Sequence, residues 1–513
     1  MRSLTRRQFV QRSSLVAAAA TLGSACSDTG SRAGARPRAV VIGSGFGGSV
    51  AALRLGQAGI STVVLERGQQ WTLAGPDTFP RIGQPDRRTT WFGEVEALTG
   101  AAAVTPWAGM LERVAGDTLD AICGACVGGG SLVYGGVLIQ PQRELFSQVF
   151  PQINYDDMDQ VYYPRVIAEI GAARIPDDVL ASQNYAAHRA FLEDARAAGF
   201  AVQRPHTGFD WDIIRREING REAAAASVSE YIYGCNSGAK LSTDKNYLWH
   251  ARATGKVEIR SLTEVVMMRE RDSGGYALEC RCINAQGDEL ERYELQADYV
   301  FLAAGSLNTS KLLLKSQLAG GLHGGNDRIG QRWGTNGDQL MLEYSSRPVS
   351  GPQGGPACVA AIDASDAAYP VTFMHSPARV PVDIQIQLAM SVPDASGEVV
   401  YDADSGRSMI RWPRDVDTPA ARARVDSFNR LLTQTGGTSL DGLAGRPTVW
   451  HPLGGAVMGD ACDHIGQLYG YRNLFVVDGS LLPGTAAAAN PSLTIAANAE
   501  RIMEQLVPRL VRR

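Results

Sequence analysis

Residues 38–68 read RAVVIGSGFGGSVAALRLGQAGISTVVLERG, and no other stretch restricts the fold as strongly. An apolar run, Ala39–Ile42, meets the turn Gly43-Ser44-Gly45-Phe46-Gly47-Gly48. An alanine-rich amphipathic stretch follows, then a second apolar run, Thr62–Leu65, ending at Glu66. Strand, glycine turn, helix, strand and terminal acid together predict a dinucleotide-binding unit. Gly43 permits the tight turn, Gly45 lets the backbone approach a pyrophosphate, and Gly48 lets the helix pack close to the strand, with Gly47 in the same cradle. The phosphates then sit at the helix N-terminus, where free N–H groups and the helix dipole favour anions. Glu66 is placed to accept hydrogen bonds from ribose hydroxyls.

Three later stretches add to this cradle. CVGGGSLVYGG (126–136) is a second glycine-rich turn. ADYVFLAAGSLNTSKLLLKS (297–316) is an apolar strand entering a helix. NLFVVDGSLLPG (473–484) is a strand ending in Asp478-Gly479. Four convergent elements make more cradle than NAD requires and suit FAD. Gly129, Gly130, Tyr134, Gly135, Asp478 and Gly479 are therefore candidate cofactor contacts. Sheet strands this far apart in sequence require large insertions between them.

WHPLGGAVMG (450–459) places one histidine before a proline and a glycine pair. By itself His451 could be a filled core position, a metal ligand or a base. Pro452 restricts it to extended backbone, and Gly454-Gly455 allow close approach to something flat. Asn490-Pro491 fits a helix start with proline at the first helical position. The helix, expected over 492–505, would direct its positive end at the cofactor.

In order along the chain, IGSGFGG, VGGGSLVYGG, YIYGCNSGAKLSTDKNYL, ATGKVEI, FLAAGSLNTSKLL, IGQRWGTNGD, HPLGG, DGSLLPG and ANPSLTIAANAER resemble the glucose–methanol–choline (GMC) oxidoreductases. The likeness is greatest to the branch of cholesterol oxidases that hold FAD non-covalently, and it extends over residues 37–510. It implies an α/β fold. A discontinuous Rossmann-like FAD-binding domain would be assembled from residues 37–72, 233–322 and 467–513. A substrate domain with a mixed or antiparallel sheet and helices would come from 73–232 and 323–466. It also implies hydride transfer from an alcohol carbon to flavin N5, with His451 and Asn490 as catalytic residues, and adds Val257, Asn490 and Pro491 to the expected cofactor contacts. The implied substrate is a bulky apolar alcohol such as a 3β-hydroxysteroid, and oxygen is the implied acceptor. A dehydrogenase with another acceptor, or a lyase on the same fold, is the alternative.

Two positions depart from the family pattern. Met374 stands where sterol oxidases carry the glutamate that moves a proton during double-bond isomerisation, and methionine cannot do that. His375 or Asp383 could stand in, although a strand would point His375 to the opposite face. Tyr134 stands where the family usually has asparagine. The resemblance thus supports oxidation and not isomerisation.

Aromatic loops around Trp71, Phe79, Trp91, Phe92, Phe209 and Trp211 could line an apolar pocket or simply pack. A net charge of −4 gives no basic footprint for a nucleic-acid partner. The eight cysteines are scattered, and the lone CGAC at 123–126 lacks the second ligand pair of a zinc site, so they read as structural thiols with no metal expected. Residues 1–36 carry Arg6-Arg7 ahead of a short apolar run ending in small residues, followed by a polar spacer. That pattern predicts twin-arginine export to the periplasm or exterior. Cys26 is a candidate lipid-attachment site, and peripheral contact with lipid is a corresponding expectation.

Overall fold

The computed structural model describes residues 36–347, 349, 353–378, 383–413, 418–440 and 446–512. The predicted export segment and Cys26 lie outside the described residues. Five short strands form a parallel sheet in the order Leu474–Val476, Tyr299–Leu302, Ala39–Ile42, Thr62–Leu65, Val257–Arg260. Their sequences, LFV, YVFL, AVVI, TVVL and VEIR, explain the placement. The four inner or left-hand strands are buried along their whole length, as strands covered on both faces must be, while Val257–Arg260 is a partly exposed edge. Each of the three sequence segments assigned to the FAD-binding domain contributes at least one strand.

Helix Phe46–Gln57 leaves the central strand and packs against the C-terminal helix Pro491–Val511 and against helix Tyr247–Ala253. The ends of the chain are joined here by a buried clasp. Glu500, fully buried, accepts from Arg54 Nε at 2.7 Å and Nη2 at 2.6 Å, and from the Tyr247 hydroxyl at 3.0 Å. Such a bidentate pair adds geometric specificity, and losing one partner would leave an uncompensated buried charge.

The second large sheet has six strands, all antiparallel: Thr438–Ser439, Gln339–Tyr344, Ile384–Met390, Val371–His375, Ala360–Asp363 and Ala201–Gln203. All six come from the two segments expected to form the substrate domain. The strand period of two separates its faces. Met341, Phe373 and Ala389 pack with Phe191, Phe428 and Leu431 of helices Ala186–Ala197 and Pro419–Thr435. The opposite face carries Met374, Leu388 and Met390, which pack with Ala489. A small sheet joins the two halves. Thr448–Val449 pairs in parallel with Asp120–Ala121, which leads toward the glycine-rich turn at 128–130 just as Val449 leads into Trp450-His451.

Most of the aromatic loop residues turn out to be packing. Phe209 and Trp211 lie in the core beneath the six-stranded sheet. Trp71 and Phe79 pack with Leu132, Val133 and Trp450, and Trp91 and Phe92 pack on Leu262 and Ile283. Among the described residues no group of histidine, cysteine, aspartate or glutamate side chains could hold a metal ion.

Candidate active site

One cleft connects the two ends anticipated from sequence. It is lined by Gly43, Ser44, Gly45, Gly47 and Glu66 at one end, by Gly129, Gly130, Asp478 and Gly479 along its length, and by Trp450, His451, Pro452 and Pro491 at the other. The first end is built from close backbone approaches. Gly43 has φ +99°, and a Cβ there would fall 2.2 Å from the Ala303 carbonyl oxygen. A Cβ at Gly129 would fall 2.7 Å from Gly45 Cα, so two glycine-rich turns touch backbone to backbone. Gly48 lies behind, holding the helix close to Gly43. The helix start at Gly45 has no side-chain cap, which leaves its first N–H groups for an anion.

Glu66 is buried and already committed. Its Oε2 accepts the Ser44 N–H at 3.0 Å and the Ser44 hydroxyl at 2.6 Å, and its Oε1 accepts the Gly68 N–H at 2.9 Å. Burial pushes its carboxyl above the usual range, and these donors oppose that shift. Asp478 lines the cleft but spends its carboxylate on protein. It accepts from the Gly305 N–H at 2.8 Å, the Thr309 hydroxyl at 2.6 Å and the Ser480 N–H at 2.9 Å, which ties the end of strand Leu474–Val476 to the start of helix Ser306–Leu318. Burial raises its carboxyl as well.

Five expected contacts do not line the cleft: Gly48 lies behind it, Asn490 faces His451, and three more fall away from it. Val257 sits on an edge strand with its Cγ2 against Gly56, while Thr263, Val265 and Val266, on the next strand, line the cleft instead. The reason is the turn at Ser261-Leu262, after which the second strand lies along the cleft. Tyr134 points away, its hydroxyl buried against Gly208 with no partner among the described residues and its ring edge on Phe46 at 5.4 Å. Gly135, next to it, does not line the cleft either.

Sequence reasoning missed Lys240. This lysine is 1 % exposed, and its ammonium donates to the carbonyls of Leu132 and Tyr134, both at 2.9 Å, and to that of Tyr231. Three donors meet three acceptors. The loop beyond Gly129-Gly130 is therefore held from below by a cation with no carboxylate among its hydrogen-bond partners. Burial pushes this ammonium down to about 7.

At the other end, His451 is surrounded by groups from distant segments. Its Nδ1 lies 2.8 Å from Asp338 Oδ1, and its Nε2 lies 3.5 Å from Asn490 Nδ2. Asp338 Oδ2 accepts the backbone N–H groups of Trp450 at 3.2 Å and His451 at 3.0 Å. Asn336, fully buried with φ +58°, clamps the loop that carries Asn490. It donates to the Ala489 carbonyl at 3.0 Å and accepts the Ala486 N–H at 2.8 Å. Asp338 and Asn336 stand in IGQRWGTNGD, a motif that carried the family resemblance without assigning either residue a role. Asn490 begins helix Pro491–Val511 as predicted, yet its side chain makes no capping bond. An asparagine at this position ordinarily caps; here it faces the imidazole.

The glycine pair of the strap does something other than expected. A Cβ at Gly454 would fall 2.2 Å from the Arg332 carbonyl oxygen, and one at Gly455 would fall 2.1 Å from Ser310 Oγ. The pair packs the strap against protein, locked by reciprocal bonds between Leu453 and Gly334 at 3.1 and 2.9 Å. Pro452 and Leu453 are the strap residues that face the cleft after His451.

Met374 and His375 separate as the strand period demands. Met374 packs beside Ala489 on the His451 side, whereas His375 is fully buried on the far face, its ring 4.7 Å from that of His188. His375 thus cannot stand in for a proton-carrying group at position 374.

The residues present fit a flavin dinucleotide. Glycine loops leave room for a pyrophosphate, and Glu66 and Ser44 would stand at the ribose end. At the His451 end two buried polar atoms, Trp450 Nε1 and Asn490 Oδ1, have no partner among the described residues; a donor and an acceptor are left for the polar edge of a ring system. When bound, the flavin would accept the hydride; the chain's own groups would orient the alcohol oxygen and take its proton.

Comparison with known proteins agrees with this geometry. The N-terminal GMC oxidoreductase family matches residues 14–334 and the C-terminal one residues 401–499. The chain is 24 % identical to a cholesterol oxidase of Acinetobacter baumannii, covering 91 % of this chain and 94 % of that one. It is 26 % identical to a cholesterol oxidase of Mycobacterium tuberculosis, covering 90 % and 89 %. Among solved structures, pyridoxine 4-oxidase from Mesorbium loti superimposes with a TM-score of 0.65 at 18 % identity, covering 91 % of this chain and 99 % of that one. A fungal aryl-alcohol oxidase gives 0.64 at 13 %, covering 92 % and 99 %. Dinucleotide cleft, histidine–asparagine pair, fold and family match converge on one statement: the chain belongs to the GMC oxidoreductases, a family of FAD-binding flavoproteins that act on alcohols.

Proposed function

We propose that this GMC oxidoreductase oxidises the hydroxyl of a bulky apolar alcohol, a 3β-hydroxysteroid or a molecule of similar shape, with non-covalently bound FAD and with oxygen as acceptor. The observation that carries the substrate class is the apolar sheet face beside the His451–Asn490 pair. Along strand Gln339–Tyr344, Leu340 and Leu342 are partly exposed and Tyr344 is 50 % exposed. They lie on the same face as the partly exposed Ile384 and Ile386 of the neighbouring strand. Asp338, which holds His451, immediately precedes this strand in the same alternation. Exposed apolar area of this kind next to a polar pair suits a large hydrophobic molecule with one hydroxyl. Similarity to cholesterol oxidases supports the reading.

In this reading the alcohol oxygen sits between Asn490 Nδ2 and His451 Nε2, and the imidazole accepts the hydroxyl proton as the carbinol hydrogen leaves as hydride. With Met374 in place, the product of a Δ5-3β-hydroxysteroid stays a Δ5-3-ketone. The protein is exported by the twin-arginine route and meets its substrate at or near lipid. Aerobic turnover with product analysis tests the proposal. Steroid alcohols should be preferred to terpenoid alcohols and sugars, with hydrogen peroxide formed and no conjugated-enone absorbance in fresh product. A preference for sugars, or turnover only with an artificial acceptor, would overturn it.

A further inference from the structure

Asp338 does more at this site than anchor a loop. Its carboxylate has no exposed surface, and its two oxygens serve different partners: Oδ1 faces His451 Nδ1 at 2.8 Å, while Oδ2 takes the backbone N–H groups of Trp450 and His451. Both backbone groups are donors that cannot turn round. Arg424 of helix Pro419–Thr435 feels the charge of this carboxylate, while its guanidinium is bonded to Ser391 Oγ at 2.8 Å and Gln339 Oε1 at 3.2 Å. A carboxylate is the one side chain of this size that accepts on both sides at once.

We infer that Asp338 is a positioning residue that fixes the proton of neutral His451 on Nδ1, leaves the Nε2 lone pair facing Asn490 and the alcohol, and stabilises the imidazolium formed when that lone pair takes the hydroxyl proton. The inference rests on the proposed alcohol oxidation. The step balances within the site. The O–H bond breaks and an Nε2–H bond forms; the carbinol C–H bond breaks, its electron pair leaves with hydrogen to the flavin, and a carbonyl forms. Asn336 Nδ2 also lies 3.5 Å from Nδ1, but it is a donor satisfied by the Ala489 carbonyl at 3.0 Å and does not compete for the Nδ1 proton. The role is that of a buried acid holding a catalytic imidazole in the productive tautomer.

Asp338→Asn separates this role from simple anchoring. The fixed N–H groups of Trp450 and His451 will draw the amide oxygen, which turns the amide NH2 toward Nδ1 and forces the imidazole proton onto Nε2. The experiment uses FAD-loaded protein with 15N-labelled histidine, read by long-range 1H–15N correlation at alkaline pH where the ring is neutral, with His451→Gln identifying the resonances. The expected result is proton on Nδ1 in the wild type and on Nε2 in Asp338→Asn. Anaerobic flavin reduction by the alcohol should fall by about 10²–10⁴-fold with flavin retained, and Asp338→Glu should recover part of it. An Nε2–H tautomer in the wild type overturns the inference even if no variant folds. So does an Asp338→Asn protein that reduces its flavin at the wild-type rate. The tautomer is read without substrate, so failure of every alcohol to reduce the flavin would sink the proposed function and leave this result to stand or fall separately.

Discussion

Glu66 and His451 sit at opposite ends of one cleft and are held in opposite ways. Glu66 takes its hydrogen bonds from Ser44, 22 residues away, and from Gly68, two residues away. His451 takes its contacts from Asn490, Asp338 and Asn336, at separations of 39, 113 and 115 residues. The nucleotide end is thus built on a local device, one strand–turn–helix–strand unit, onto which Gly129, Ala303 and Asp478 close from elsewhere in the chain. The chemical end exists only after the six-stranded sheet, the strap at 450–455 and the start of the C-terminal helix have come together. A local device can be reused for any reaction that needs FAD, whereas the assembled end decides which reaction follows.

If the ends are separable in this way, damage at each should have a different signature. The largest effect is expected from His451→Gln. The protein should bind FAD and keep its visible spectrum, while anaerobic flavin reduction by the preferred alcohol falls by about 10²–10⁴-fold, the usual contribution of a positioned base. Loss of FAD in this variant would break the separation. Gly129→Ala tests the other end. With a Cβ 2.7 Å from Gly45 Cα, the two turns must part. An overpacking penalty of about 1–3 kcal/mol should appear as a roughly 10- to 100-fold weaker FAD affinity, measured by flavin fluorescence, with the reduction rate of the loaded fraction nearly unchanged.

Lys240 lies between these extremes and sharpens the comparison, because it holds a local glycine loop by a non-local contact. Lys240→Met should destabilise by about 1–3 kcal/mol for each carbonyl left unpaired, seen in the urea midpoint. The sign of its pH dependence follows from burial, which lowers the ammonium to about 7 from an ordinary 10.5. Between those values the unfolded chain holds a proton that the folded one has released. Lysine's contribution therefore grows as pH rises from 7, by at most about 1.4 kcal/mol per unit. The wild type should gain on Lys240→Met between pH 7 and 9; a constant gap would contradict the assignment.

The smallest effect on catalysis is expected from His375→Phe, on the far face of the sheet. Flavin reduction should be unaffected, because the ring points away from Asn490. Stability should change only in acid. Burial lowers His375 to about 4, from an ordinary 6.5. Between these values the unfolded chain binds the extra proton, so the wild type loses stability as pH falls from 6.5 toward 4. His375→Phe should flatten that limb in a thermal-melt series, while a slower reduction step would place His375 nearer the chemistry than the fold does.

The same contrast explains what the sequence could and could not say. Gly43, Gly48 and Glu66 were readable because a turn with φ +99°, a helix packed on Gly43 and hydrogen bonds from Ser44 and Gly68 are reasons within the segment, although Ala303 also closes on both glycines. Asn490-Pro491 was readable as a helix start, since proline at the first helical position is a local signal; that the asparagine would face a histidine instead of capping was not. Val257, expected only from the resemblance, lies one strand before the cleft, because the turn at Ser261-Leu262 decides which strand lines it. Gly454-Gly455 were rightly seen to permit close approach, but the surfaces approached are Arg332 and Ser310, more than a hundred residues upstream. Asp338 lay in IGQRWGTNGD, a motif that carried the family resemblance but no role for this residue, and its partner is known only from the fold.

The most direct test of the redox role assigned to the His451 end is an anaerobic titration of FAD-loaded protein with a 3β-hydroxysteroid, followed in the visible flavin band. The expected result is stoichiometric bleaching in the wild type and its near absence in His451→Gln over the same period. An oxidised spectrum that survives steroid, terpenoid and sugar alcohols alike, or equal bleaching in both proteins, would contradict it.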